Sequence, residues 1–259
     1  MTGHRRAAPS AACAAAFVLT VVTAGSLAAG HPAAADNGLG SLSADQISRR
    51  AHQALFGAGS LHISTRGNLG QSGTPTTMDL SLDRAANCRG AVGLGKQGSV
   101  EIIKRGQTVW IKPDRAFWKH QTPGGDAAAS MFAGQYLKGS AKKAPLKGMA
   151  QVCDLDAFLE ATSRSPHTTR PALTKGRPTK IHGVSVIPVS GVAGHRTETL
   201  YVATEGKPYP VQLSVRGPSE LATVRFTDFG KPVSTKTPPA DRTIDLSTLG
   251  RRSAPVGAA

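Results

Sequence analysis

The chain has 259 residues, a formal net charge of +15 and three cysteines. This length suffices for one large domain or two small ones, with a real hydrophobic core. No cysteine has a CxxC neighbour, which excludes dithiol redox catalysis of the usual kind.

The first 35 residues have the pattern of an export signal. Two arginines precede an uncharged apolar run over residues 11–30, and Ala33 and Ala35 occupy the small-residue positions that signal peptidase requires. We therefore predict a cleaved signal peptide over residues 1–35 and a secreted, extracytoplasmic protein. The alternative is an uncleaved signal that stays in the membrane as an anchor.

Two cysteines, Cys88 and Cys153, remain after removal of the signal, which contains Cys13. In an oxidising compartment they are most simply a disulfide that closes a long loop and constrains the unfolded chain. Bridging requires Cα atoms about 4.4–6.8 Å apart. Two separate free thiols are the alternative.

The mature chain begins with a small and polar segment, 36–42, which we predict to be flexible. A helix follows, because Ser43 and Gln46 match a capping box and Gly57 and Gly59 stop the apolar repeat. Apolar residues recur at helical spacing between these ends, namely Ile47, Ala51, Ala54 and Leu55.

From residue 60 the apolar period changes to two, which predicts strands with one dry and one wet face. The first dry faces consist of Leu61 and Ile63, then Met78, Leu80 and Leu82. Further strands are predicted at RGAVGLG (89–95), SVEIIKRG (99–106), TVWIKPD (108–114) and AFWKHQ (116–121). Short turns join these neighbours, which indicates an antiparallel meander.

The middle of the chain is predicted to be helical, and the end returns to strands. Helices are predicted over 124–137 and 154–165, the second capped by Asp154, with a basic loop between them. A linker over 165–180 leads to strands at 180–191, 199–206, 208–217, 221–230 and 242–247. The order predicts one α+β domain over 43–249: a large antiparallel sheet with helices on its apolar face, and a disordered tail over 250–259.

No motif in the chain indicates catalysis, a metal or a cofactor. Gly93 to Gly98 match GxGxxG, but the next residues alternate like a strand, so we interpret the motif as a turn. The histidines of the mature chain are isolated, without metal-ligand spacing. The hydrolase elbow GxSxG is absent. We therefore predict no catalytic residues, no metal and no cofactor.

A basic stretch runs between Glu160 and Glu198 without a carboxylate. We predict that it contacts anionic lipid headgroups or cell-wall polymer, through Arg164, Arg170, Lys175, Arg177 and Lys180. A solvated basic face is the alternative. Export disfavours nucleic acid as a partner, and the aromatic residues do not form the stacking platform that single strands need.

The hairpin at 199–217 leaves the nature of the apolar space open. Alternation places Val211, Leu213 and Val215 on one face of its second strand and polar residues on the other. A filled core and a cavity that holds a ligand both explain this pattern.

Four stretches, 98–119, 152–159, 200–215 and 224–247, resemble the actinobacterial LppX/LprG-type lipoproteins and their secreted relatives, within the LolA/LolB-like superfamily of lipid carriers. The resemblance spans roughly residues 43–249. It implies a curved antiparallel half-barrel with helices in its concave face, around a space that takes acyl chains. This chain departs from the lipoprotein pattern because Ser10 stands three residues before Cys13, where the family's lipobox has leucine or a similar residue.

The resemblance implies a non-enzymatic carrier of a lipid or glycolipid in the cell envelope, and we predict that it is a monomer. The expected cavity residues are on the dry strand faces and among the aromatics, namely Leu61, Ile63, Met78, Leu80, Leu82, Val109, Ile111, Phe132, Val211, Leu213, Val215 and Phe226. The alternative is a wall-associated interaction or sensor protein with a filled core and a basic face that binds polymer. A hydrolase of envelope lipids is a more distant third possibility.

Overall fold

The computed structural model describes residues 35–68, 77–163, 172–218 and 220–248. Residues 1–34 of the predicted signal peptide lie outside this part of the chain. So do Arg164, Arg170 and the C-terminal tail.

The described residues form one curved, open sheet of thirteen strands, as the α+β half-barrel prediction requires. The strands are β1 (Ser60–Asn68), β2 (Thr77–Asp83), β3 (Cys88–Gly93), β4 (Ser99–Arg105), β5 (Thr108–Pro113), β6 (Tyr136–Ser140), β7 (Leu173–Lys175), β8 (Thr179–Ile181), β9 (Val184–Ala193), β10 (Arg196–Ala203), β11 (Pro210–Arg216), β12 (Leu221–Thr227) and β13 (Thr243–Asp245). Two meanders, β1 to β6 and β9 to β12, join where β1 pairs with β12. All pairs are antiparallel except β13 with β6.

Helices pack on the concave face of this sheet. They are α1 (Ala44–Phe56), α2 (Arg115–Gln121), α3 (Gly125–Phe132), α4 (Lys147–Gln151) and α5 (Leu155–Ser163). The capping box predicted for α1 is present, because Gln46 N–H donates to Ser43 Oγ at 3.3 Å and Ser43 N–H donates to Gln46 Oε1 at 2.9 Å. Asp154 caps α5 as predicted, accepting from Ala157 N–H at 3.0 Å.

The segment 116–121, predicted as a strand, is instead part of α2. Asp114 acts as its N-cap by accepting from Phe117 N–H at 2.7 Å, and the helix buries Trp118 against Phe132 with ring centroids 5.3 Å apart. The next predicted helix was too long, because α3 ends at Phe132 and Gly134, with φ of 73°, turns the chain into β6. The basic loop predicted over 138–148 contains the end of β6 and the start of α4.

The larger core cluster lies between α2–α5 and strands β1–β6 and β12. It contains the disulfide between Cys88 and Cys153, whose Cα atoms are 5.5 Å apart and whose side chains are fully buried. The predicted disulfide is therefore confirmed. It ties β3 to the loop before α5, so this half of the sheet is held to its helices by a covalent bond.

The smaller core cluster lies under α1, on the other half of the sheet. Ile47 and Ala51 of α1 are completely buried against Val189 and Val202 of β9 and β10. Leu39, from the segment 36–42 that composition predicts to be flexible, is buried in the same cluster. Lys175 holds this segment through hydrogen bonds from Nζ to two of its backbone carbonyl oxygens, at 3.0 and 2.8 Å.

Candidate apolar cavity

A cavity of about 250 Å³ lies between α1 and the strands β9 to β12. It separates the two core clusters on the concave face of the sheet. Its lining residues come from α1, β7, β9, β10, β11 and β12, namely Ser48, Ala51, His52, Leu55, Leu173, Val189, Gly191, Ala193, Arg196, Glu198, Leu200, Pro210, Leu213 and Phe226.

The cavity exists because facing positions carry small side chains. Ala51 of α1 and Gly191 and Ala193 of β9 all line the cavity, and none of them has a side chain large enough to fill it. The strand register explains the walls, because Leu200 pairs with Val189 and with Leu213 and places all three on one row of the concave face. Leu200 and Leu213 are only half-buried although α1 covers them.

The rim of the cavity is polar and carries an ion-paired arginine. Arg196 Nη2 lies 3.1 Å from Glu198 Oε1, and Arg196 Nε lies 2.9 Å from Glu220 Oε2. Ser48 and His52 of α1 form the opposite side, and the His52 ring stacks on Phe56 with centroids 4.3 Å apart. The arrangement is an apolar interior with charged groups at the opening, which suits a ligand that has a chain and a polar end.

A second depression of about 550 Å³ lies elsewhere on the sheet, next to Glu101 and Lys112. Both side chains are already engaged there, because Lys112 forms an ion pair with Glu101 and the Tyr136 hydroxyl donates to the same carboxylate. Burial opposes ionisation of Glu101, but these two partners outweigh it and hold the pKa of Glu101 below its ordinary value. A carboxylate of lowered pKa that is already paired is poorly suited to act as a general base.

Other chemical features are sparse in the part of the chain that the structure describes. No group of three or more His, Cys, Asp or Glu side chains there is arranged to hold a metal. Gly93 to Gly98 form the turn between β3 and β4, as predicted, closed by a hydrogen bond from Leu94 N–H to Gly98 O at 2.8 Å. Within the same described ranges, none of the helices has the length and apolar character needed to cross a bilayer.

The structure brings few of the sequence-predicted cavity residues to this cavity. Leu213 and Phe226 line it. Six others are buried in the larger core cluster, namely Leu61, Ile63, Leu80, Leu82, Val109 and Ile111. Met78 and Phe132 pack against that cluster, and Val215 is buried between the partners Glu198 and Ala222 without lining the cavity.

The three valine and leucine residues of β11 do not share one face. The register between β10 and β11 shifts after the pair of Tyr201 with Gln212, so that Val202 pairs with Pro210. This bulge turns Val211 away from Leu213 and buries it against Val186 and Ala203 in a separate cluster. Pro210 takes its place at the cavity wall.

Sequence reasoning missed the contributions of α1, β7 and β9 to the cavity. The signal was available in part, because Ala51 and Leu55 belong to the predicted apolar face of α1. What could not be seen was that this face meets Gly191 and Ala193 across the sheet. Three of the basic residues predicted to contact headgroups or polymer are described by the structure. Lys175 donates hydrogen bonds to backbone carbonyl groups, and Arg177 and Lys180 are exposed.

No protein-family model and no curated protein matches this chain. Solved structures do match. LprF from Mycobacterium bovis has a TM-score of 0.51 and 16% sequence identity, over 75% of this chain and 96% of that one. The lipoprotein LppX of Mycobacterium tuberculosis has a TM-score of 0.48 and 15% identity, over 74% of this chain and 98% of that one. The chain therefore has the fold of LprF, and the resemblance inferred from the sequence is confirmed at the level of the fold.

Proposed function

We propose that this protein is a non-enzymatic carrier that binds the acyl chain of a lipid or glycolipid in the cavity under α1. The observation that carries the proposal is an apolar interior, walled by Leu55, Leu200, Leu213 and Phe226, that opens at a charged rim. The fold shared with LprF supports it. The proposed location is outside the cytoplasm, because the chain begins with a signal-like segment and contains the buried disulfide.

The size of the cavity limits the ligand to one chain, or part of one. An engineered protein cavity of about 150 Å³ with apolar walls binds benzene, which has six carbons. By this proportion a cavity of about 250 Å³ accepts on the order of ten carbons. A longer chain would fill the cavity and leave its remaining carbons at the rim.

The energy of such binding suits a carrier that must release its cargo. Burial of ten methylenes gains about 8 kcal/mol at ~0.8 kcal/mol each. Loss of translational and rotational freedom opposes this gain by at least about 4 kcal/mol. The net gain from the chain alone is therefore at most about 4 kcal/mol, a dissociation constant of about 1 mM or weaker, and contacts of the polar end with Arg196 and Glu198 at the rim would strengthen it.

A chain-length series tests the proposal. We expect the affinity for saturated monoacyl lipids of six to sixteen carbons, measured by isothermal titration calorimetry below their micellar concentrations, to rise about fourfold per methylene. The rise should stop near ten carbons, where the cavity is full. Affinity that is absent for every chain, or that does not depend on length, would contradict the proposal. Salt-sensitive binding to anionic wall polymer in that case would favour the alternative of a wall-associated protein.

A further inference from the structure

Two exposed apolar side chains lie behind the rim of the cavity, on the convex face of the sheet. Val192 on β9 is 59% exposed and Leu221 on β12 is 66% exposed. The register connects them, since Val192 pairs with Thr197, Thr197 with Arg216 and Arg216 with Leu221. Residues directly opposite each other in antiparallel strands share a face, so these four form one row, called here the rim row.

The rim row lies on the reverse side of the strand ends that open the cavity. Thr197 stands between Arg196 and Glu198, which both line the cavity, and side chains alternate between faces along a strand. The neighbouring row on the convex face is polar and consists of Arg66, Thr223, Ser214, Thr199, Ser190 and Thr174. The two most exposed large apolar side chains described on these strands, Val192 and Leu221, therefore lie at the edge next to the rim, whereas Val184 at the opposite end of β9 is 38% exposed.

Arginines flank the apolar residue at one end of the rim row. Arg216 is exposed and directly opposite Leu221, and Arg66 is exposed and diagonal to it on the same face. Arginine combines an apolar stem with a weakly hydrated charge that binds phosphate groups. Glu198 and Glu220 near the rim are ion-paired with Arg196. Asp79, which is diagonal to Arg66 on the convex face, lies 3.6 Å from Nε2 of His62.

We propose that the rim row docks on a lipid surface that carries anionic phosphate headgroups. Leu221 and Val192 enter the interfacial region, and Arg216 and Arg66 contact the phosphates. Docking there brings the opening of the cavity to the membrane, so that an acyl chain passes between bilayer and cavity with little exposure to water. The inference rests on the proposed function, because it assigns the place at which the carrier loads or releases its cargo.

The form of the rim row favours a membrane over a protein partner. A stable protein interface buries a continuous surface of at least about 1,000 Å² with a tightly packed centre. The rim row instead offers two separate apolar side chains with a threonine and an arginine between them. A fluid headgroup layer accommodates such an interrupted pattern, because lipids rearrange around each side chain.

Vesicle flotation with matched variants tests the proposal. The mature protein is mixed with phosphatidylcholine vesicles that contain either no or about one-third phosphatidylglycerol, at low and high salt. We expect binding only to the anionic vesicles, about tenfold weaker for Leu221→Ser and about fivefold weaker for Arg216→Ala. The controls are Val184→Ser and Lys180→Ala at the opposite strand ends, where Val184 is 38% exposed, and both should bind like the unchanged protein.

A second measurement separates this proposal from the carrier function. Binding of a ten-carbon monoacyl lipid in solution, without vesicles, should be the same in all four variants because none of the changed residues lines the cavity. The docking proposal is overturned if the unchanged protein does not float with anionic vesicles, or if the rim-row variants float like their controls. Absence of chain binding in solution would instead refute the carrier function.

Discussion

Replacement of Gly191 by leucine should close much of the cavity and provides the sharpest test of its role. Gly191 lies in the interior of β9 and lines the cavity, and it pairs with Glu198, which also lines it. We therefore expect a side chain at this position to lie on the cavity side of the strand. Its backbone belongs to a regular strand, so that leucine requires no unusual conformation there.

The expected loss of affinity follows from the volume removed. The leucine side chain adds four carbons, which take up about 100 Å³ on the scale of about 150 Å³ for six carbons. Of the 250 Å³, about 150 Å³ then remain, and a bound chain loses contact for about four methylenes. At ~0.8 kcal/mol each, this loss is about 3 kcal/mol, or about 200-fold in affinity.

The assay is titration calorimetry with a ten-carbon monoacyl lipid, and Val192→Leu is the matched control. Val192 is the next residue of the same strand, points to the opposite face and is 59% exposed, so that its replacement leaves the cavity unchanged. We expect the control to bind like the unchanged protein. Equal affinity of Gly191→Leu and the control would show that acyl chains do not enter this cavity, and the reasoning would be refuted.

Three further predictions concern the frame around the cavity. Replacement of both Cys88 and Cys153 by alanine should lower the free energy of unfolding by about 4 kcal/mol in denaturant titrations, because the bridge spans a sequence separation of 65 residues; an unchanged midpoint would contradict this. Lys175→Ala should cost about 1 kcal/mol through its lost hydrogen bonds to backbone carbonyl groups, whereas the exposed control Lys180→Ala should cost nothing measurable. The Ser247 hydroxyl and then the Lys138 ammonium lower the pKa of Asp245 from 3.8 to about 2, so its stabilising contribution is complete above about pH 4 and lost toward pH 2. Asp245→Asn should therefore lower the melting temperature at pH 6 but not at pH 2, and an equal difference at both would refute the assignment.

The sequence predicted most elements of the fold because their signals are local. The period of two along β1 and β2 and the capping box of α1 depend only on residues within one element. The strand predicted at 116–121 is wrong because Asp114, which was included in the strand predicted at 108–114, is the N-cap of a helix and accepts from Phe117 N–H. The packing of Trp118 of α2 against Phe132 of α3 is a tertiary contact, which the spacing of apolar residues within one segment does not reveal.

The cavity could not be predicted in the same way, because alternation marks a dry face without showing what covers it. Leu80 and Leu213 have the same pattern in the sequence, yet Leu80 is completely buried in a filled core and Leu213 borders empty space. The difference comes from residues far away in the chain, since Gly191, Ala193 and Ala51 leave the space beside Leu213 open. The bulge that turns Val211 away depends on pairing between β10 and β11 and is equally invisible locally.

Stability and binding should respond to cavity filling with opposite signs, which separates a functional cavity from a packing defect. Unfilled volume in a protein interior costs about 24 cal/mol per Å³, so this cavity costs up to about 6 kcal/mol, comparable with the whole stability of many domains. The filled half of the sheet and its disulfide offset that cost. Gly191→Leu should therefore raise the free energy of unfolding by up to about 2 kcal/mol while it weakens lipid binding. If Gly191→Leu lowered both the free energy of unfolding and the lipid affinity, the substitution would have disrupted the fold. Only a higher free energy of unfolding together with a lower lipid affinity supports a cavity that is kept open for a ligand.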